Sequence, residues 1–289
     1  MEQIKNSKLT VCASSLGAEL QNIRDINGRE YLWDGDQNYW GRHSPILFPV
    51  VCGLWKDTYR LGTRAYHMTR HGFARDTEFT LIRKGEDYMT YALHESAKTL
   101  DVYPFHFNLA VTYHLEDNHI HVVWHVENTD DQIIYFQIGG HPAFRIPGAE
   151  KGKPCAGILK FDKPRLDRIY GNVGGCITKG RHPMKTDHGL FRFTEDDFVD
   201  DALIFDQSQL KHIELLDQSL QRVIAIDTKA PALGIWSPAG KHAPFVCIEP
   251  WYGIHDEVGY EGDFRNKYLM NQLLPGSSFM SEYIITVGA

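Results

Sequence analysis

The most constraining feature of this chain is a pair of neighbouring runs whose apolar residues alternate with opposite parity. In the first, the odd positions read Phe105, Phe107, Leu109, Val111, Tyr113 and Leu115, and the even ones His106, Asn108, Ala110, Thr112, His114 and Glu116. In the second, the even positions Ile120, Val122, Trp124 and Val126 are apolar, against His119, His121, Val123, His125 and Glu127. Side chains of an extended strand point alternately to its two faces, so each run buries one face. With only the Asp117-Asn118 turn between them, the runs predict an antiparallel hairpin with Trp124 buried. Thr129-Asp130-Asp131 turns the chain again into Gln132–Ile138, which extends the prediction to a β-meander.

Shorter β-prone runs recur at Glu78–Arg83, Tyr88–His94, Ala202–Asp206, Arg222–Asp227, Ala232–Trp236, Phe245–Ile248 and Phe279–Val287, separated by Gly, Pro, Asn and Asp clusters. Leu210–Ile224 fits either an amphipathic helix or a further hairpin turning at Asp217-Gln218-Ser219. There is no repeat, low-complexity tract or linker to divide the 289 residues. The expected fold is all-β, a large antiparallel sandwich with very little helix, in a single domain over 1–289.

Composition limits the function. A net charge of −7 without a block of basic residues argues against nucleic acid or anionic membrane as partner. No apolar run approaches the length of a membrane span and the N-terminus lacks a signal core, so a cytoplasmic protein is expected. Five scattered cysteines, none in a CxxC pair, predict reduced buried thiols rather than disulfides or a cysteine zinc site. His119, His121 and His125 share a strand face, but it is the polar face and no carboxylate completes a ligand spacing; a solvated face is the reading. GxSxG, P-loop and GxGxxG signatures are missing.

Four segments break the core pattern by setting polar residues beside glycine or proline: RHSPILFPVV (42–51), RHGFARD (70–76), IGGHPAF (138–144) and CIEPWYG (247–253). Such strand ends are expected to line a cavity, with the glycines near His141 clearing space for a ligand. His141 and Glu249 each precede a proline, which holds their backbones extended. Stiffness suits groups that must keep fixed positions, although an edge strand ending at a proline has the same pattern. Trp251, Tyr252, Phe73 and Phe144 offer flat apolar faces beside His, Arg, Asp and Glu. That mixture suits a sugar, whose ring has apolar CH patches and a polar rim.

These motifs, with DDALIF (200–205), resemble in order those of the aldose 1-epimerase (galactose mutarotase-like) family, in its LacX-like branch. The resemblance spans nearly the whole chain and implies a β-sandwich with a concave groove, no metal and no organic cofactor. It implies His141 and Glu249 as catalytic residues, His71 as a substrate-binding histidine and Asp201 as a ligand for sugar hydroxyls. Where this branch often carries a sugar-binding arginine, the chain has Gly53; Arg42, Arg70 and Arg75 are the candidates to supply the guanidinium, with Trp251 as a further binding residue. The implied activity is interconversion of the α and β anomers of a hexose such as galactose or glucose. An acid, His141, protonates the ring oxygen while a base, Glu249, takes the C1 hydroxyl proton. Alternatives are a hexose-6-phosphate 1-epimerase, a non-catalytic sugar sensor and, with less support, a glycoside hydrolase. A small-molecule sugar is the expected partner and a monomer or weak homodimer the expected state.

Overall fold

The computed structural model describes residues 1–171 and 174–288. Among the described residues, the hairpin read from the alternating runs forms as expected: Phe107–Glu116 and His119–Asn128 pair antiparallel, with Trp124 opposite Val111 and Val122 opposite Tyr113. Asp117 takes a positive φ of 56° at the turn. The apolar parity set from Phe107 to Val126 is at most 3% exposed. At roughly 1.5–3 kcal/mol per fully buried large apolar side chain, this face is a major contributor to the core.

The hairpin sits in a nine-stranded antiparallel sheet. Thr80–Lys84, Tyr88–His94 and the hairpin follow in chain order, and the C-terminal strand Ser278–Val287 takes the place beside His119–Asn128. The expected continuation of the meander through Gln132–Ile138 therefore does not occur. Ile134–Phe136 leaves the sheet to pair with Asn271–Leu273, and Ile138–Gly140 joins the opposite sheet. Leu210–Ile224 resolves as a hairpin, His212–Leu216 with Arg222–Thr228. The one α-helix among the described residues is Ala97–Val102, started by a Ser96–Thr99 capping box.

The second large sheet has eight strands, with Leu203–Phe205, Ala232–Trp236, Phe245–Tyr252 and Ile138–Gly140 at its centre. Its inner face, including Phe205, Leu233, Ile235, Val246 and Ile248, shares one apolar cluster with Trp124, Tyr283 and the hairpin residues. The result is the all-β sandwich that the alternation predicted. The outer face carries the candidate site. His119, His121 and His125 lie away from that face and in part exposed; His121 sits between the carboxylates of Glu116 (3.4 Å) and Glu282 (3.3 Å). No helix among the described residues is long and apolar enough to cross a membrane.

Candidate active site

Phe245–Tyr252 is a central strand, so Cys247, Glu249 and Trp251 share the outer face while Val246 and Ile248 enter the core. Glu249 is therefore mid-strand, and the strand continues through Pro250, where the sequence suggested a strand end. On one side Gly139 pairs with Trp251 and Ala143 with Cys247. Carrying that register across the break at Pro142 sets His141 opposite Glu249. Their side chains meet, with His141 Nε2 3.2 Å from Glu249 Oε2 and both residues buried. On the other side Gly234 pairs with Glu249 and Trp236 with Cys247.

The glycines serve the protein rather than a ligand. A Cβ at Gly139 would stand 2.8 Å from Trp251 Cδ1, and one at Gly234 only 2.3 Å from Cη2 and Cζ2 of the same indole. Trp251 thus lies flat across both neighbouring strands. Gly140 faces the core, where a Cβ would come within 2.9 Å of the Tyr283 hydroxyl.

Loops complete a cavity of about 330 Å³ over this face. His71 is held with a positive φ of 71° between Arg70 and Gly72. Its backbone N–H donates to the Cys52 carbonyl (3.0 Å), and the Cys52 N–H donates to His71 Nδ1 (3.1 Å). With Nδ1 an acceptor, the neutral ring carries its proton on Nε2. The His71 and His141 rings meet edge to face at 5.4 Å. Asp201, also at a φ of 71°, pairs with the Arg70 guanidinium, which lies 3.4 Å from His255 Nε2. Two further loops are braced from behind. Asp256 accepts from the Trp55 N–H (2.9 Å) and from Lys267 Nζ (2.8 Å), which also donates to the Ile254 carbonyl; its own N–H donates to the Gly53 carbonyl.

The cavity brings together His141, Glu249, His71, Asp201, Arg75 and Trp251 of the residues expected from sequence, together with Arg70. Arg42 is not brought there: it is spent on Asp76 (2.7 Å) and the Arg75 carbonyl (3.4 Å). Gly53 cannot carry a side chain without moving backbone, since its Cβ would lie 2.3 Å from the Gly175 carbonyl oxygen. Guanidinium groups reach the cavity from Arg70 and Arg75 instead. Three of the four expected aromatic faces are elsewhere. Phe144 is fully buried, Phe73 packs on Phe48, and Tyr252 packs on Phe279 and Trp124. The aromatic wall consists of Trp251 with Tyr39, Trp40 and Trp236, which the motifs did not single out. Trp40 stacks on His141 at 4.9 Å and Trp236 meets it edge-on at 5.8 Å. His255 was also missed, although it lies just past CIEPWYG.

Burial dominates the electrostatics. It pushes His141 down to about 3, with the Arg75, Arg70 and Arg42 charges acting in the same direction. Burial and the Asp201 charge hold Glu249 well above the usual carboxylate range. His71 and His255 are held well below the ordinary histidine value, again mainly by burial. Both shifts favour the neutral groups, so a proton shared by the pair is favoured on Glu249 rather than on His141. Five buried polar atoms on residues that line the cavity have no hydrogen-bond partner in the protein: Arg70 Nε, Arg75 Nε, His141 Nδ1, Trp251 Nε1 and His255 Nδ1.

Comparison with known proteins agrees with this architecture. The family model for aldose 1-epimerase matches residues 2–258. The chain belongs to the aldose 1-epimerase family. The chromosomal LacX protein of Lactococcus lactis subsp. lactis is 31% identical over 99% of this chain and 98% of its own. A galactose mutarotase related enzyme from Lactobacillus acidophilus superposes with a TM-score of 0.92 at 32% identity, covering 100% of this chain and 97% of that one. A galactose mutarotase-like protein from Lactobacillus casei gives 0.90 at 31% identity, over 99% of both chains. Membership in the aldose 1-epimerase family thus extends to the LacX-like branch that the motifs resembled.

Proposed function

We propose that this protein interconverts the α and β anomers of a hexose, binding the sugar in the cavity and moving protons through His141 and Glu249. The observation that carries this reading is that the residues lining one cavity beside an aromatic wall carry five buried polar atoms without a partner in the protein. Buried polar atoms normally find partners, so such a cluster suits a ligand rich in hydroxyl groups. The volume is at the small end of ligand pockets and suits one sugar ring rather than a chain.

Ring opening needs a proton added to the ring oxygen and one removed from the C1 hydroxyl; reclosure after rotation about C1–C2 reverses both transfers. A histidine and a carboxyl group 3.2 Å apart provide a donor and an acceptor together. We assign Glu249 as base and His141 as acid. Burial favours the proton on Glu249 over His141, so the working state needs it shifted to His141. Hydrogen bonds from sugar hydroxyls to the Glu249 carboxylate stabilise its charged form and drive that shift. Trp40 and Trp236 hold the His141 ring while this happens. His71, Arg70, Arg75 and Asp201 are assigned to the remaining hydroxyls.

Anomer exchange followed by NMR across aldoses and aldose 6-phosphates tests the proposal. Glu249→Gln and His141→Asn are each expected to slow exchange by at least about 100-fold. The double variant should be little worse than either single one, because the pair acts as a unit. Wild-type exchange in a folded Glu249→Gln protein refutes the mechanism, and sugar binding without faster exchange in the wild type marks a sensor. Arg75 and Lys241 at the cavity favour a second reading, a phosphorylated hexose. A strong preference for the 6-phosphates selects it.

A further inference from the structure

Beside the His141–Glu249 pair stands a third group that the proposed sugar chemistry does not use. Cys247 precedes Glu249 by two residues on Phe245–Tyr252 and shares its outward face. One ligand atom each from His141, Cys247 and Glu249 lie within 4.8 Å of one another, and all three residues are buried. His141 Nδ1 has no hydrogen-bond partner in the protein although the residue is only 7% exposed.

We infer that His141, Cys247 and Glu249 form a binding site for a thiophilic divalent cation, Zn²⁺, whose occupancy shuts down the cavity. Around a tetrahedral zinc with bonds of about 2.0–2.3 Å, the ligand atoms stand roughly 3.3–3.8 Å apart, a spacing these side chains reach by small rotations. Sulfur, imidazole nitrogen and carboxylate oxygen is a donor set that selects zinc over magnesium or calcium, which require oxygen ligands. Three protein ligands leave the fourth position open toward the cavity.

Charge balance favours the same ion. All three residues are buried, Cys247 at 0%, Glu249 at 1% and His141 at 7% exposed, so an uncompensated charge among them is costly. One Zn²⁺ held by a thiolate, a carboxylate and a neutral imidazole carries no net charge, so the buried floor stays neutral. Binding deprotonates the ligands, the Cys247 thiol among them, and releases those protons to solvent. The metal then occupies the lone pairs that sugar opening needs. That last consequence rests on the function proposed above, whereas binding of the metal does not.

The test is a titration of the full-length, reduced, chelator-treated protein with Co²⁺ as a spectroscopic probe. A thiolate-to-cobalt charge-transfer absorption with intense visible bands, saturating at one ion per chain and bleached by Zn²⁺, is expected. Cys247→Ala should abolish the charge-transfer absorption and weaken Zn²⁺ by at least about tenfold, since losing even an outer-shell partner costs that much. Cys52→Ala, which removes the thiol that lines the same cavity, should leave both intact. Cys247→Ser serves the same purpose if the alanine variant does not fold by circular dichroism. No thiolate band in the wild type, or an unchanged band without Cys247, overturns the inference. Zn²⁺ should also slow anomer exchange, with at least tenfold more needed in Cys247→Ala. A protein that binds cobalt through Cys247 yet exchanges no anomers refutes the catalytic proposal and leaves this one standing.

Discussion

Lys267 and Asp256 form an ion pair whose side chains are only 2% and 3% exposed, and its removal from one side gives a sharp prediction. Lys267→Met keeps the length and volume of the side chain but leaves Asp256 buried beside a single remaining donor, the Trp55 N–H, and strips the Ile254 carbonyl of its partner. An unpaired buried charge of this kind costs about 3–5 kcal/mol. That is a large fraction of the roughly 5–15 kcal/mol by which a folded protein is stable. Neutralising the survivor in Lys267→Met/Asp256→Asn should recover most of the loss, because the penalty belongs to the uncompensated charge and not to the absence of attraction. Urea unfolding of the wild type, both singles and the double reads the cycle directly. The pair braces the loops carrying Cys52 and His255 into the cavity, so Lys267→Met should also raise KM for sugar more than it lowers kcat. If Lys267→Met costs less than about 1 kcal/mol, or the double is as unstable as the sum of the singles, the argument from buried charge is wrong.

Glu249→Gln should stabilise the protein while it removes activity, and the gain should grow with pH. The folded carboxyl holds its proton above the unfolded value near 4.5, so the wild type loses stability as pH rises past that value, by up to about 1.4 kcal/mol per unit. Thermal melts from pH 4.5 to 8 that show a constant gap between the two proteins contradict this. Gly234→Ala places a methyl 2.3 Å from the Trp251 indole and should cost about 1–3 kcal/mol and most of the sugar affinity, read by calorimetry. Unchanged affinity removes Trp251 from the binding wall. Trp40→Ala frees one face of His141 and should lower kcat about tenfold or more, as expected when a proton-transfer group is mispositioned; an effect on KM alone shows that Trp40 touches only sugar.

The legible parts of this protein were those where a local pattern has one physical meaning. Alternation of opposite parity from Phe107 to Val126 admits only a half-buried hairpin, and that hairpin formed in register. The His-Pro and Glu-Pro steps were legible as stiff extended sites, which led to His141 and Glu249. What the strand ends of 247–253 meant was misread because Pro250 looked like a terminator, while the ladder runs on to Tyr252. The glycines of IGGHPAF had no local explanation at all. Gly139 and Gly140 are set by Trp251 and Tyr283, more than a hundred residues away. Trp40, in the polar stretch NYWGRH, carried no periodic signal, and only its stacking on His141 reveals its place. Arg42 had the right neighbourhood in sequence and the wrong partner in space, since the Asp76 carboxylate takes its guanidinium.

Glu249 sits in a ladder and His141 in the break between two strands paired to the same one, whereas Trp40, Arg70 and Lys241 approach from loops. In the proposed mechanism the distance between proton donor and acceptor is therefore set by strand register, and the outline of the accepted sugar by segments free to change length. Under that mechanism, insertions in the loops should alter which ring fits without altering how it opens. A single residue inserted between Phe245 and Ile248 does the reverse: it turns the carboxylate into the apolar core, and no adjustment of the loops restores the chemistry.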